Sequence, residues 1–314
     1  RSRTTVVNPE LNLVNDFLYP EQMSIADQAV EHRFAVKASN WYESVSGSSY
    51  TYWDFDDANG KINWGFEPAG AGNEYYQKHW HAWFTILGRA YNITKDEKYF
   101  NSWKEVYSDW LQNFPCPTSI SEYGNKSWHQ LSVATRISSQ LELFEYFKNS
   151  PNFTGEWLST FLVEFHKAVV FSRNNPYYSE TSNIRFAQQT AQAKTGILLP
   201  EFKESEAWLI ESGNDFARQI NDTFYNDGVY FELALGYQLG VMENYRATYV
   251  LATTNNRLDK FDSSFKSKLH NACRFIMNII WPDYTWECFN DGFAQTKRDR
   301  KSTRLNSSHA PLSR

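Results

Sequence analysis

Cysteine is scarce in this sequence: Cys116, Cys273 and Cys288 are the only three in 314 residues. Their spacing matches no metal-binding pattern and no disulfide framework, although an oxidising compartment could join Cys273 to Cys288. No metal and no cofactor is expected. Long apolar runs are also missing. None approaches the ~18 residues of a membrane-spanning helix, so no span is expected. A basic surplus is missing as well, with 31 Lys and Arg against 36 Asp and Glu and a formal charge of −5. Nucleic acid and anionic membranes are therefore excluded as partners on bulk charge, and an acidic ligand would need a local basic pocket. The chain opens "RSRTTVVNPE" with neither a signal-peptide core nor an initiating Met. A processed or truncated N-terminus is the expectation.

Aromatic residues, by contrast, are abundant. Twelve Trp, 19 Tyr and 23 Phe make up 17% of the chain. Such rings build cores, and they also stack on the apolar faces of sugars. Trp64, Trp80 and Trp128 are the candidates for stacking, with core packing as the alternative.

Three regions are expected. Residues 1–72 combine one helix-like piece, "PEQMSIADQAVEHRF", with irregular aromatic and Gly-rich loops and short extended pieces. Residues 73–295 carry eight helix-like segments with short connectors. The first reads as one helix over 73–93, "NEYYQKHWHAWFTILGRAYNI". The second opens with Thr94 as N-cap and Glu97 three residues on, a capping box. The others start near residues 127, 154, 181, 205, 235 and 262, with Pro or Gly at most boundaries. No βαβ alternation interrupts them, so the fold class is all-α. Sequential helix pairs form a bundle, a solenoid or a toroid, and periodicity does not choose. Residues 296–314 are basic and Ser-rich, and a disordered, non-native tail is expected there.

Several stretches together resemble the heparinase II/III family of polysaccharide lyases, most of all its heparinase III (heparan-sulfate lyase) branch. They are "INWGFEP", "HWHAWFTILGRAYNITKDEKYF", "WHQLSVATR", "FLVEFHKAVVF", "SNIRFAQQTAQAKTGILLPEFKESEAW", "YNDGVYFELALGYQL" and "WPDYTWECFND". Their order and spacing hold from about residue 25 to 292. The resemblance implies an incomplete (α/α) toroid, followed in the family by a C-terminal β-sandwich that this chain lacks. It implies an acidic polysaccharide substrate such as heparan sulfate, and a periplasmic or secreted location. Oligomeric state stays unassigned.

The implied chemistry is β-elimination. A base removes the proton at C5 of a uronic acid, next to a carboxylate that must be neutralised, and a donor protonates the leaving oxygen at C4. The family's neutralising asparagine matches Asn183, and its tyrosine matches Tyr237. A phenol has a reference pKa near 10, so as a base it needs a positive charge or strong donors nearby. Substrate contacts are expected from Arg136, His129, Glu232, His81 and Trp128. Their plainer readings are an N-cap for Asn183, a half-buried ring for Tyr237, a surface ion pair for Arg136, a surface or cap carboxylate for Glu232 and a core residue for His81. His79 and His81 lie two apart and face different ways on a helix, against a metal pair. The chain departs from the family at Ile184, where a histidine is usual, at Gln188, where an acid is usual, and at His129 and Gln238, where arginine and histidine are usual.

Two other functions fit the same residues. A toroid glycoside hydrolase needs two opposed carboxylates, for which Asp227 and Glu232 are available. A non-catalytic glycan-binding module fits the losses at positions 184 and 188.

Overall fold

A computed structural model of the chain describes residues 6–11, 13–36, 51–65, 74–123, 126–282, 285–287 and 289–290. The chain divides into two compact units, residues 1–179 with 198–200 and residues 180–197 with 201–314. The expected tail over 296–314 lies outside the described residues, as does Cys288. Cys116 and Cys273 are free thiols.

The first unit begins with α1 (Pro20–Val30), where proline occupies the first turn and costs no helical hydrogen bond. Strands β1 (Arg33–Val36) and β2 (Thr51–Asp54) pair antiparallel, with Phe34 opposite Trp53. β2 is one of the extended pieces expected within the irregular region, whereas β1 takes Arg33 and Phe34 from the piece expected to be helical, since α1 ends at Val30. Helices α2 (Glu74–Gln77), α3 (Thr85–Thr94), α4 (Glu97–Asn113), α5 (Gln130–Phe147) and α6 (Gly155–Asn174) follow.

Two further expectations fail here. The single helix over 73–93 is broken into α2, a short 3-10 turn over Ala82–Phe84, and α3. The break is at His81, whose φ of 59° lies in the left-handed region that a continuous helix cannot contain. The cap of α4 is Asp96, whose Oδ1 accepts from the Lys98 amide at 3.0 Å. Thr94 instead ends α3, donating back to the Ala90 carbonyl at 2.8 Å. Glu97 is free of capping duty and accepts from the Ser150 hydroxyl at 2.6 Å.

The aromatic surplus fills this unit's core. Trp103, with no exposed surface, lies between Phe147 at 5.1 Å and Phe161 at 5.8 Å. Phe34 from β1 meets Trp83 at 3.8 Å, which ties the strand pair to the turn before α3. Each such buried ring adds dispersion and stacked, tilted or edge-to-face ring contacts to the hydrophobic term.

The second unit holds α7 (Asn183–Leu198), α8 (Ser205–Thr223), α9 (Leu235–Thr254) and α10 (Ser263–Ile279). Phe186, Phe216, Tyr245 and Phe265 form its core, with ring centroids 4.4–5.9 Å apart. At Gly213 of α8 any Cβ would collide with the Lys260 carbonyl, so only glycine lets that backbone approach. Counting α3 to α10, the eight expected long helices are present among the described residues, and the all-α class holds.

Candidate active site

Helix α7 starts at Asn183, yet Asn183 is not its cap. Ser182 is: its Oγ accepts from the Ile184 amide at 3.1 Å, and its carbonyl accepts from the Phe186 amide at 3.0 Å. Asn183 is therefore the first helical residue, and its side chain is exposed. The Ser182 hydroxyl approaches its Oδ1 at 3.4 Å. Among the described residues, nothing takes up the hydrogens on its Nδ2. The plainer reading of Asn183 as a cap fails, because serine already supplies the oxygen. A free amide donor thus stands where the unpaired N–H groups of a helix start concentrate positive potential.

Between α8 and α9 the chain reverses through Asn226-Asp227-Gly228. The Gly228 amide donates to the Tyr225 carbonyl at 3.0 Å, and Tyr225 and Val229 close the turn at 2.9 Å. Gly228 has a φ of 94°, and a Cβ there would strike the Asn271 carbonyl of α10. Gln238 then clamps the turn onto α9. It is buried, donates through Nε2 to the Gly228 carbonyl at 2.8 Å, and accepts through Oε1 from the Tyr230 amide at 3.0 Å. The glutamine at this family-histidine position is thus a structural clamp.

That clamp holds the first turn of α9, which carries Tyr237. Tyr237 is half-buried, and its hydroxyl has no hydrogen-bond partner among the described residues. Glu232 lies just before the helix, also half-buried, and its backbone carbonyl accepts from Asn290 Nδ2 at 2.9 Å. Asn183 and Tyr237 share one unit, and α7 and α9 meet through Phe186 and Tyr245 at 4.4 Å.

The other expected contacts lie in the first unit, and three need correction. Arg136 is neither a surface ion pair nor an open anion site. It is 2% exposed, sandwiched between Trp110 at 4.2 Å and Trp128 at 4.8 Å, and donates to the carbonyls of His79 and Ser127 at 3.0 and 2.8 Å. Burial pulls its pKa down to about 9, which leaves it charged at neutral pH. Trp128 is buried, donates to the Phe114 carbonyl at 3.2 Å and packs on Phe171 at 4.9 Å, so no face remains for a sugar. Trp64 is buried too and donates to Asp109 at 2.6 Å, while Trp80 stays half-buried.

His81 is fully buried. Trp103 donates to Gln140 Oε1 at 3.1 Å, which fixes that amide's orientation. Gln140 Nε2 must then donate to His81 Nδ1 at 2.9 Å, placing the histidine's proton on Nε2. Burial, helped by Arg136, holds His81 well below the usual histidine range, and burial first of all does the same to His79. His129 is half-buried and caps α5, accepting from the Leu131 amide at 3.3 Å. Burial lowers its pKa. Among the described residues no cluster of His, Cys, Asp and Glu could hold a metal, and no helix is long and apolar enough to cross a membrane.

A groove of about 400 Å³ runs beside α9 in the second unit. Phe275, Ile279, Trp281, Trp286 and Phe289 line it, and Glu287 is the one charged residue among the described residues there. Gln238 and Asn290 also line it, so the groove adjoins the turn that carries Tyr237, although its apolar surface and negative charge suit an acidic glycan poorly.

The family profile described as "Heparinase II/III N-terminus" matches residues 1–310. The chain is 38% identical over 313 residues to a heparin-sulfate lyase of Bacteroides thetaiotaomicron, covering 96% of this chain and 43% of that protein. It is 29% identical over 278 residues to a heparin-sulfate lyase of Pedobacter heparinus, covering 88% and 40%. Among solved structures, a crystal structure of heparinase III superposes with a TM-score of 0.84 at 36% identity, over 98% of this chain and 47% of that one. The chain thus spans less than half the length of these relatives. It belongs to the heparinase II/III family.

Proposed function

We propose that this chain forms the helical part of a polysaccharide lyase that cleaves a uronic-acid glycan, heparan sulfate first, by β-elimination. Asn183 donates its amide hydrogens to the substrate carboxylate. As the C5 proton leaves, charge builds on that carboxylate, and a neutral donor there lowers the barrier without titrating. Tyr237, ionised, takes the C5 proton and returns it to the C4 oxygen; or, as a phenol, it gives its own proton to that oxygen while a base from the rest of the full-length protein takes the C5 proton. The C4–O bond breaks, the C4–C5 double bond forms, and the leaving chain keeps a hydroxyl. Glu232 and His129 are the remaining candidates for contact with sugar hydroxyls. A periplasmic or secreted location follows from a polymeric extracellular substrate.

One observation carries this reading. The Asn183 amide is outward and without a partner on its nitrogen, because Ser182 has taken over the helix cap. The relatives' name, heparin-sulfate lyase, supports the substrate class. The hydrolase alternative is weakened by Asp227, whose Oδ1 is engaged by the Val229 amide at 3.2 Å within the turn.

The test is the full-length protein on heparan sulfate, followed by near-ultraviolet absorbance of the unsaturated uronate. Absorbing product from wild type, and its loss in Asn183→Ala and Tyr237→Phe, is expected. Reducing ends without absorbance would mean hydrolysis. Glycan binding without any product would mean a binding module.

A further inference from the structure

We propose that Gln219 is the positioning residue for Asn183, a buried amide that joins the start of α7 to the middle of α9. The inference rests on the lyase reading of Asn183 given above. Gln219 lies near the end of α8 and is 4% exposed. Its Nε2 donates to the Glu180 carbonyl at 3.0 Å and to the Ser182 carbonyl at 3.4 Å. Those two carbonyls flank the last residues before Asn183. Its Oε1 accepts from the Tyr245 hydroxyl at 3.4 Å. Tyr245 has no exposed surface, and burial pushes its pKa well above the usual phenol range, so it stays a neutral donor. The Tyr245 ring in turn packs on Phe186, three residues into α7.

One side chain thus fixes the cap residue before Asn183 and reaches the helix that carries Tyr237. Eight residues separate Tyr237 from Tyr245, about 12 Å along the axis. Other ties on this segment are weaker. Glu180 pairs with Arg218 at 3.0 Å, but both side chains are more than half exposed, and such pairs contribute little. Arg185 reaches Asp215 at 2.9 Å and, in the chain before the helix, only the exposed Glu180 carboxylate at 3.7 Å. Gln219 grips the backbone of residues 180 and 182 from the buried side. An amide suits the task because it offers two donors and an acceptor in one plane.

Catalytic groups must sit within about 0.5 Å of their working geometry, and displacements of an ångström cost roughly 100-fold in rate. Gln219→Leu in the full-length protein keeps the volume and removes all three bonds. We expect kcat on heparan sulfate to fall about 10- to 100-fold with KM within about 3-fold, the pattern of lost transition-state stabilisation. In an Asn183→Ala background the same change should cost nothing further, since there is no amide left to position. Hydrogen exchange over residues 180–190 should accelerate, while α10 stays protected. If Gln219→Leu does not fold, Gln219→Glu keeps size and the acceptor toward Tyr245 but removes donors, with the same expected kcat loss.

A folded variant with wild-type kcat overturns the proposal. So does a loss that multiplies in full onto Asn183→Ala, which marks a general structural role. If Asn183→Ala alone keeps wild-type kcat, the lyase reading of Asn183 fails instead. Exchange at residues 180–190 then decides by itself whether Gln219 anchors this turn.

Discussion

The two units treat their polar residues in opposite ways. In the first, Arg136, His79 and His81 are drawn inside and tied down among rings: Arg136 to two carbonyls, His79 to Trp110 at 3.2 Å, His81 to Gln140. In the second, buried Gln219 and Gln238 do that tying, while Asn183 is exposed and Tyr237 half-buried in the first turns of their helices. The residue types that look most chemical, histidine, arginine and tryptophan, build the scaffold. In the proposed reading, an ordinary amide and a phenol are left to meet the ligand. Position, more than residue type, separates chemistry from packing here.

This contrast can be broken at several points. Tyr237→Phe removes a hydroxyl without a hydrogen-bond partner among the described residues, so kcat should drop about 10²- to 10⁴-fold with the melting temperature unchanged. Trp103→Ala in the first unit should do the reverse, costing about 3–5 kcal/mol of stability through the cavity it leaves, as a denaturant titration would read. A catalytic loss without destabilisation there would undo the division of labour.

Acid should also separate the units. His79 and His81 are held neutral by burial, against an ordinary value of 6.5. Below that pH the unfolded chain gains protons that the folded one refuses, so stability is complete above it and falls as pH drops. The slope should approach about 1.4 kcal/mol per pH unit for each histidine. Melting curves from pH 7 to 5 check this, and His81→Gln should flatten the decline. A smaller effect comes from Ser182→Ala, which removes the α7 cap and should cost about 1 kcal/mol. Smallest of all is Arg136→Met. With the guanidinium sealed between two indoles, KM for heparan sulfate should stay within about 3-fold. A tenfold rise in KM at unchanged stability would mean that Arg136 meets the substrate after all.

The helices were legible because their apolar residues recur at helical spacing over long windows, and α4 to α10 lie where that spacing puts them. The break at His81 was not, since a left-handed non-glycine residue leaves no mark in sequence. The cap at Asp96 rather than Thr94 reflects two adequate oxygens in competition, settled by the end of α3. Asn183 and Tyr237 were found only through family resemblance, and burial of Arg136 was hidden because one arginine among serines reads as a surface face. Gln219 was missed, although a signal existed. It sits among Ser212, Gly213, Phe216, Ile220 and Thr223, the buried stripe of α8, where a glutamine must find partners.

The most direct measurement is product absorbance from heparan sulfate with wild-type and Asn183→Ala full-length protein, alongside their melting temperatures. Loss of about 10²- to 10³-fold in kcat at unchanged stability is the expected result, the usual effect of removing one donor to a developing anion. Equal rates from the two proteins would contradict it.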